Sequence, residues 1–250
     1  PWAGVYPAMA RALRERGINA ANNGVWRYPN DLIPLAREGF PIFTEYLCTM
    51  FGHFSTAYEN HEFAPGNYAP PWTEKGREQM ARQVERVKQL RQLGVVHYAC
   101  SQEIGLGPSE VCLAEATQEA FRKWVLGRYG DVQRVNVAWD TAFAADDIRG
   151  VLLEEAAAQR PDNPAQWMDF RLFMEDLFNG ALEEYCRLGK SHAPEGFFGY
   201  DAGPYEEIPT AAHNRARLGQ TIDSCVEYLG PWLNMGSIGS YFDILRSRQV

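Results

Sequence analysis

Along this chain the apolar positions switch repeatedly between helical and strand spacing, and glycine marks most of the switches. Tyr6, Met9, Ala10 and Leu13 share one face of a helix over residues 5 to 16, Gly17 ends it, and Ile18 to Ala21 reads as a strand. Asn30 to Glu38 is a short polar-capped helix closed by Gly39, and Phe40 to Leu47 is a β-rich run carrying Glu45 and Tyr46 at its end. Thr73 caps an amphipathic helix with Met80, Val84, Val87 and Leu90 on one face. Gly94 stops it, and Val95 to Cys100 is the next strand.

That strand runs straight into Ser101-Gln102-Glu103-Ile104-Gly105, followed by a helix from about Ser109 to Tyr129 with Ala116, Ala120, Trp124 and Val125 inward. A long helix comes later, because Trp167, Phe170, Phe173, Met174, Leu177, Phe178, Ala181, Leu182 and Tyr185 recur every three or four residues. Gly196 to Gly203 and Ser224 to Trp232 complete the set of strands. Two stretches interrupt the alternation, at about 51–72 and 131–165, and the first is rich in Gly, Pro, Asn, His and aromatic residues, which disfavours regular structure.

Five βα units in succession imply a parallel sheet covered by helices. Phosphate-cradling glycine loops are missing, which argues against a doubly wound nucleotide-binding sheet. Carboxylate and aromatic residues collect at successive strand ends, where barrels build their sites, so the expected fold is an α/β (β/α)₈ TIM-type barrel forming one domain over 1–250. A barrel needs eight strands. The five found correspond to strands 2 to 6, with the first expected before Pro1 and the last two after Val250, so the barrel is expected to be incomplete and, by itself, prone to aggregation or oligomerisation.

Composition narrows the chemistry. A formal charge of −8 with no Lys/Arg cluster speaks against nucleic acid as a partner. No apolar run approaches the ~18 residues of a membrane span, and the first residues lack the basic-then-apolar pattern of a signal peptide. Five scattered cysteines, odd in number and without C-x-x-C spacing, indicate neither a disulfide framework nor a zinc knuckle, so a reducing, cytoplasmic setting is the default expectation. The five histidines form no ligand-spaced pair, so neither a metal nor another cofactor is expected, and the absence of a Gly-x-Ser-x-Gly elbow disfavours a serine hydrolase.

Glu103 is the leading catalytic candidate. It follows an apolar strand, lies beside the amide Gln102 and is flanked by Ile104 and Leu106, surroundings that raise a carboxyl pKa toward the range of a proton donor. Asp201 and Glu227, near later strand ends, are alternative partners for a two-carboxylate reaction, and Glu45 is a weaker one. Trp26, Tyr46, Trp72, Trp139, Tyr200 and Trp232 are candidate platforms for the apolar face of a sugar ring, with core packing as the competing role for each.

The order and spacing of Tyr98–Gly105, Phe121-Arg122-Lys123-Trp124-Val125, Arg128-Tyr129-Gly130, Asn136-Val137-Ala138-Trp139-Asp140-Thr141-Ala142-Phe143 and Asp169-Phe170-Arg171 resemble glycoside hydrolase family 42, the β-galactosidases of the retaining clan A. The resemblance spans roughly Val95 to Trp232. It implies that Glu103 is the acid/base and that Gln102 stands where the family usually has asparagine, an amide that hydrogen-bonds the sugar. Tyr228 then falls on the tyrosine that contacts the nucleophile, itself borne on strand seven.

The leading expectation is therefore a hydrolase of terminal β-glycosidic bonds acting on a β-galactoside or related carbohydrate, with a homo-oligomer possible at full length. Gln102 and the missing second carboxylate leave open a non-catalytic carbohydrate-binding barrel or an inactive fragment.

Overall fold

A computed structural model describes residues 7–24, 32–45, 47–48, 71–101, 104, 115–150, 162–202 and 214–227. The elements run α1 (Pro7–Glu15), β1 (Ala21–Gly24), α2 (Leu32–Arg37), β2 (Ile42–Glu45), α3 (Glu74–Val84), α4 (Val87–Gln92) and β3 (Val95–Ala99). They continue with α5 (Glu115–Tyr129), α6 (Val132–Trp139), α7 (Pro164–His192), β4 (Phe197–Ala202), α8 (Arg215–Thr221) and β5 (Ser224–Glu227). All five strands are parallel and hydrogen-bonded in sequence order, β1-β2-β3-β4-β5. The order never reverses, as it does in a doubly wound sheet, so every crossover steps to the next strand in the same direction.

Local chemistry explains the boundaries. Gly17, Gly39 and Gly94 adopt φ of 83°, 71° and 81°, the left-handed conformation that ends α1, α2 and α4 and turns the chain into the following strand. Thr73 accepts from the Gly76 amide to start α3, and Asn163 accepts from the Gln166 amide to start α7, whose first residue is Pro164. The amphipathic helix expected after Thr73 is divided at Glu85 and Arg86, whose backbones keep right-handed helical angles.

The stretch around 131–165 is not loop throughout. Asp131 caps α6, whose buried Val135 and Trp139 lie four residues apart on one face, and Asp140 ends it at φ 53°. The helix α8 was not foreseen; the Asn214 side chain caps it by accepting from the Arg217 amide.

The main core lies between the sheet and the helices. Phe198 of β4 stacks on Tyr98 of β3 with ring centroids 4.8 Å apart and meets Tyr185 of α7 edge-on at 6.0 Å. Tyr98, Tyr185 and Phe198 have no exposed surface, and Met80, Val84, Val87 and Leu90 are buried as their spacing requires. A second block packs α5, α6 and α7 together, with Phe121 stacked parallel to Trp139 at 6.2 Å and edge-on to Phe170 at 5.2 Å. The opposite side of the sheet is less covered. Phe43 and Phe197, both in register with His97, are 40% and 54% exposed.

Candidate active site

A parallel sheet brings the C-terminal ends of its strands to one edge, so residues far apart in sequence become neighbours there. Glu45 ends β2 opposite Gly24, and in the pairing of β4 with β5 Asp201 faces Val226 while Ala202 faces Glu227. The β3–β4 register pairs Ala99 with Gly199, and the Cys100 amide still donates to the Gly199 carbonyl at 2.9 Å. Extended by two residues, this register sets Ser101 level with Asp201.

Ser101 and Ile104, which bracket Gln102 and Glu103, are 1% and 3% exposed. The Ser101 hydroxyl is buried without a hydrogen-bond partner among the described residues. Glu103, Gln102, Tyr46, Tyr228, Trp232 and Trp26 lie outside the described residues, as do the side chains of Glu45, Asp201 and Glu227.

Two expectations about sugar contacts are corrected by the packing. Trp139 is 3% exposed and lies in the helical block, its indole N–H donating to Asp169 Oδ2 at 2.9 Å. Its aromatic face is taken up by Phe121, so it fastens α6 to α5 and α7. Tyr200 is 1% exposed and lies two residues beyond Phe198 on the same side of β4, the side packed on α7. Strand alternation thus turns it toward the helices. Trp72 is half-buried and donates to Thr117 Oγ1 at 3.1 Å, tying the end of the first excursion to α5.

The Arg128-Tyr129 and Trp139 motifs converge on one carboxylate, Asp169, to which the sequence reading gave a place in a motif and no role. Asp169 accepts from the Tyr129 hydroxyl at 2.6 Å and from Trp139 at 2.9 Å on one oxygen, while the Arg128 guanidinium lies 3.4 Å from the other. Burial first, then the hydrogen bond and charge of Asp169, raise the Tyr129 pKa, because both favour the neutral phenol. Asn136 works similarly in its turn, accepting from Thr141 and from the Phe143 amide while donating to the Phe143 carbonyl.

On the less covered side of the sheet, His97 Nε2 lies 2.6 Å from Ser224 Oγ, and Nδ1 is buried without a hydrogen-bond partner among the described residues. Burial lowers the His97 pKa below its ordinary value, partly opposed by the negative charge of Asp223. Asp223 itself ties the start of β5 to α7 and β4, accepting from Lys190 Nζ and from the Phe198 amide, each at 2.8 Å.

Among the described residues no group of three or more His, Cys, Asp or Glu side chains is placed to hold a metal ion, and no helix is long and apolar enough to cross a membrane. Cys48, Cys100 and Cys186 are buried, and Cys225 is partly buried. Burial raises the Cys100 pKa well above the ordinary thiol value, so it is a packing residue and no nucleophile at neutral pH.

Solved structures define the fold. The chain is similar to the β-galactosidase of the psychrophilic Marinomonas ef1, with a TM-score of 0.69 and 18% identity over 90% of this chain and 38% of that one. It is also similar to the catalytic domain of β-amylase from Paenibacillus polymyxa, with a TM-score of 0.68 and 12% identity over all of this chain and 82% of that one. The fold is that of the (β/α)₈-barrel glycosidases, of which the described strands form five consecutive units.

Residues 59–224 match the model of the glycoside hydrolase 42 family, described as beta-galactosidase, and the chain belongs to that family. Among curated relatives it is 29% identical to beta-galactosidase BgaA of a Thermus species over 132 residues, 52% of this chain and 20% of that protein. It is 41% identical to beta-galactosidase Bga of Halorubrum lacusprofundi over 116 residues, 45% of this chain and 16% of that protein. The matched regions therefore span a fifth or less of the length of these relatives.

Proposed function

We propose that the full-length protein is a retaining β-glycosidase of β-galactosidase type, in which Glu103 protonates the leaving oxygen and then deprotonates the attacking water. The observation that carries this reading is the burial of Ser101 and Ile104, which flank Gln102 and Glu103 in sequence just past β3, in a chain whose family and relatives are named beta-galactosidases. Burial at both flanks is the environment that keeps a carboxyl group protonated until the leaving oxygen needs its proton. Gln102 binds the hydroxyl beside the reacting carbon, reaching one methylene further than the asparagine usual in the family. Tyr46, Tyr228 and Trp232 contribute to sugar binding, with the carboxylates of Asp201 and Glu227 at the neighbouring strand ends. The nucleophile comes from a strand following β5.

Replacing Glu103 by Gln in the full-length protein tests the assignment. Turnover of natural galactosides should be abolished, and that of substrates with good leaving groups spared, because those need no proton. Unchanged activity on both removes Glu103 from the mechanism. Gln102 favours one alternative, a barrel that binds carbohydrate without cleaving it. Calorimetric binding of galactosides with no product over days would support that alternative.

A further inference from the structure

We propose that His97 and Ser224 form a cross-strand brace that sets the axial position of β3 relative to β5, making both positioning residues for Glu103 in the segment that follows β3. The inference rests on the glycosidase reading only for its effect on turnover.

Backbones two strands apart in a parallel sheet are separated by about 10 Å, twice the usual strand spacing. The imidazole of His97 spans most of that gap and meets Ser224 Oγ at 2.6 Å. It crosses β4 diagonally, since His97 is in register with Phe197 whereas Ser224 is in register with Gly199. A side chain at 199 would block the crossing, because its Cβ would collide with the Ser224 carbonyl oxygen and approach Ser224 Oγ to 2.5 Å. Glycine at 199 is therefore a condition of the link.

In barrels of this type, alternate strands supply the residues of each interior layer, and branched apolar side chains normally fill it. Here β3 and β5 are alternate strands, and their layer holds a histidine and a serine instead, with a glycine on the strand between them. Apolar side chains would tolerate a small axial slip, whereas a 2.6 Å hydrogen bond in a site with a buried imidazole does not. The orphan Nδ1 points to the tautomer with the proton on Nε2, because a buried N–H without a partner is rarer than an under-used acceptor. Nε2–H then donates to Ser224. Strands move along their axes as units, so a shift at 97 or 224 is carried to the ends of β3 and β5, from the first of which the chain runs on to Glu103, and misplacement of a reacting group by ~1 Å can cost about a hundredfold in rate.

Kinetics of the full-length protein on an aryl β-galactoside, with melting curves for each variant, test the brace. His97→Leu and Ser224→Ala should each lower kcat by about tenfold with KM changed less than about twofold, and the double variant should be no slower than either single one. His97→Gln, which keeps an N–H donor near the Nε2 position, should recover most of the loss. Should His97→Leu fail to fold, Ser224→Ala removes only a hydroxyl and gives the same reading. Unchanged kcat in folded variants, or effects that multiply, overturn the proposal. If the unmodified protein turns over no galactoside, the glycosidase reading fails, and the brace is judged by NMR titration of the Glu103 carboxyl. A titration displaced by Ser224→Ala upholds it, and coincident titrations overturn it.

Discussion

Trp139 donates its indole N–H to Asp169 across 2.9 Å and 30 residues of sequence, on the same oxygen that accepts from Tyr129. The residues that most strongly mark the family thus include a buried fastening of three helices, α5, α6 and α7, set in the helical layer behind the sheet. Their pattern reports the scaffold, whereas the chemistry proposed for this protein belongs to the strand ends.

Asp169 is 4% exposed and serves two donors and a guanidinium, so Asp169→Ala should destabilise the protein by about 3 kcal/mol, since it leaves Tyr129 and Trp139 unpaired. Asp169→Asn, which keeps one acceptor, should cost less. Urea denaturation followed by tryptophan fluorescence measures both, and a loss below about 0.5 kcal/mol for the alanine variant would contradict the role.

Alkaline pH should weaken the fold. Burial pushes the Tyr98 phenol up to about 12, and Tyr185, Cys100 and Cys186 shift in the same direction. The folded state therefore holds these protons more tightly than the unfolded one. For Tyr98 the contribution is complete below pH 10 and is lost as pH rises from 10 to about 12. Tyr98→Phe gives up the 2.8 Å bond to the Val95 carbonyl, about 1 kcal/mol at neutral pH. Its urea midpoint should then fall less steeply between pH 10 and 12 than that of the unmodified protein.

Gly189 sits inside α7, where alanine is intrinsically favoured by about 1 kcal/mol. A Cβ there would run into the ring of Phe198, however, and overpacking costs about 1–3 kcal/mol. Gly189→Ala should therefore lower the melting temperature despite the better helix former, and Phe198→Leu in the same chain should recover part of the loss. A raised melting temperature for the single variant would show that the ring can move aside.

The 250-residue chain expressed alone should self-associate, because Phe43 and Phe197 are exposed on the side of the sheet opposite the helices. Light scattering after size exclusion should show oligomers, and the double replacement Phe43→Ser with Phe197→Ser should reduce them. A monomer with one cooperative melt would run against this expectation.

Much of the architecture was legible in the chain itself. Gly17, Gly39 and Gly94 punctuate helix and strand where the backbone turns left-handed, and the spacing from Phe170 to Tyr185 marks the buried face of α7. Helix α8 went unread because its seven residues are too few to show a period. Helix α6 was hidden for the same reason, and its cap, Asp131, follows directly on Gly130 at the end of the preceding helix.

The sequence by itself determined the alternation of strands and helices and the end of the third strand just before Ser101. Tertiary structure alone decided that Tyr200 faces the helices, that Trp139 belongs to Asp169 and that His97 reaches Ser224. The strands carry apolar residues on both sides, Phe197 on one and Phe198 on the other, so nothing in a strand's own residues says which side looks toward the helices. His97 and Ser224, 127 residues apart, meet only once the strands have taken their register, and Trp139 and Asp169, 30 apart, only once their two helices pack together; both are properties of the assembled fold.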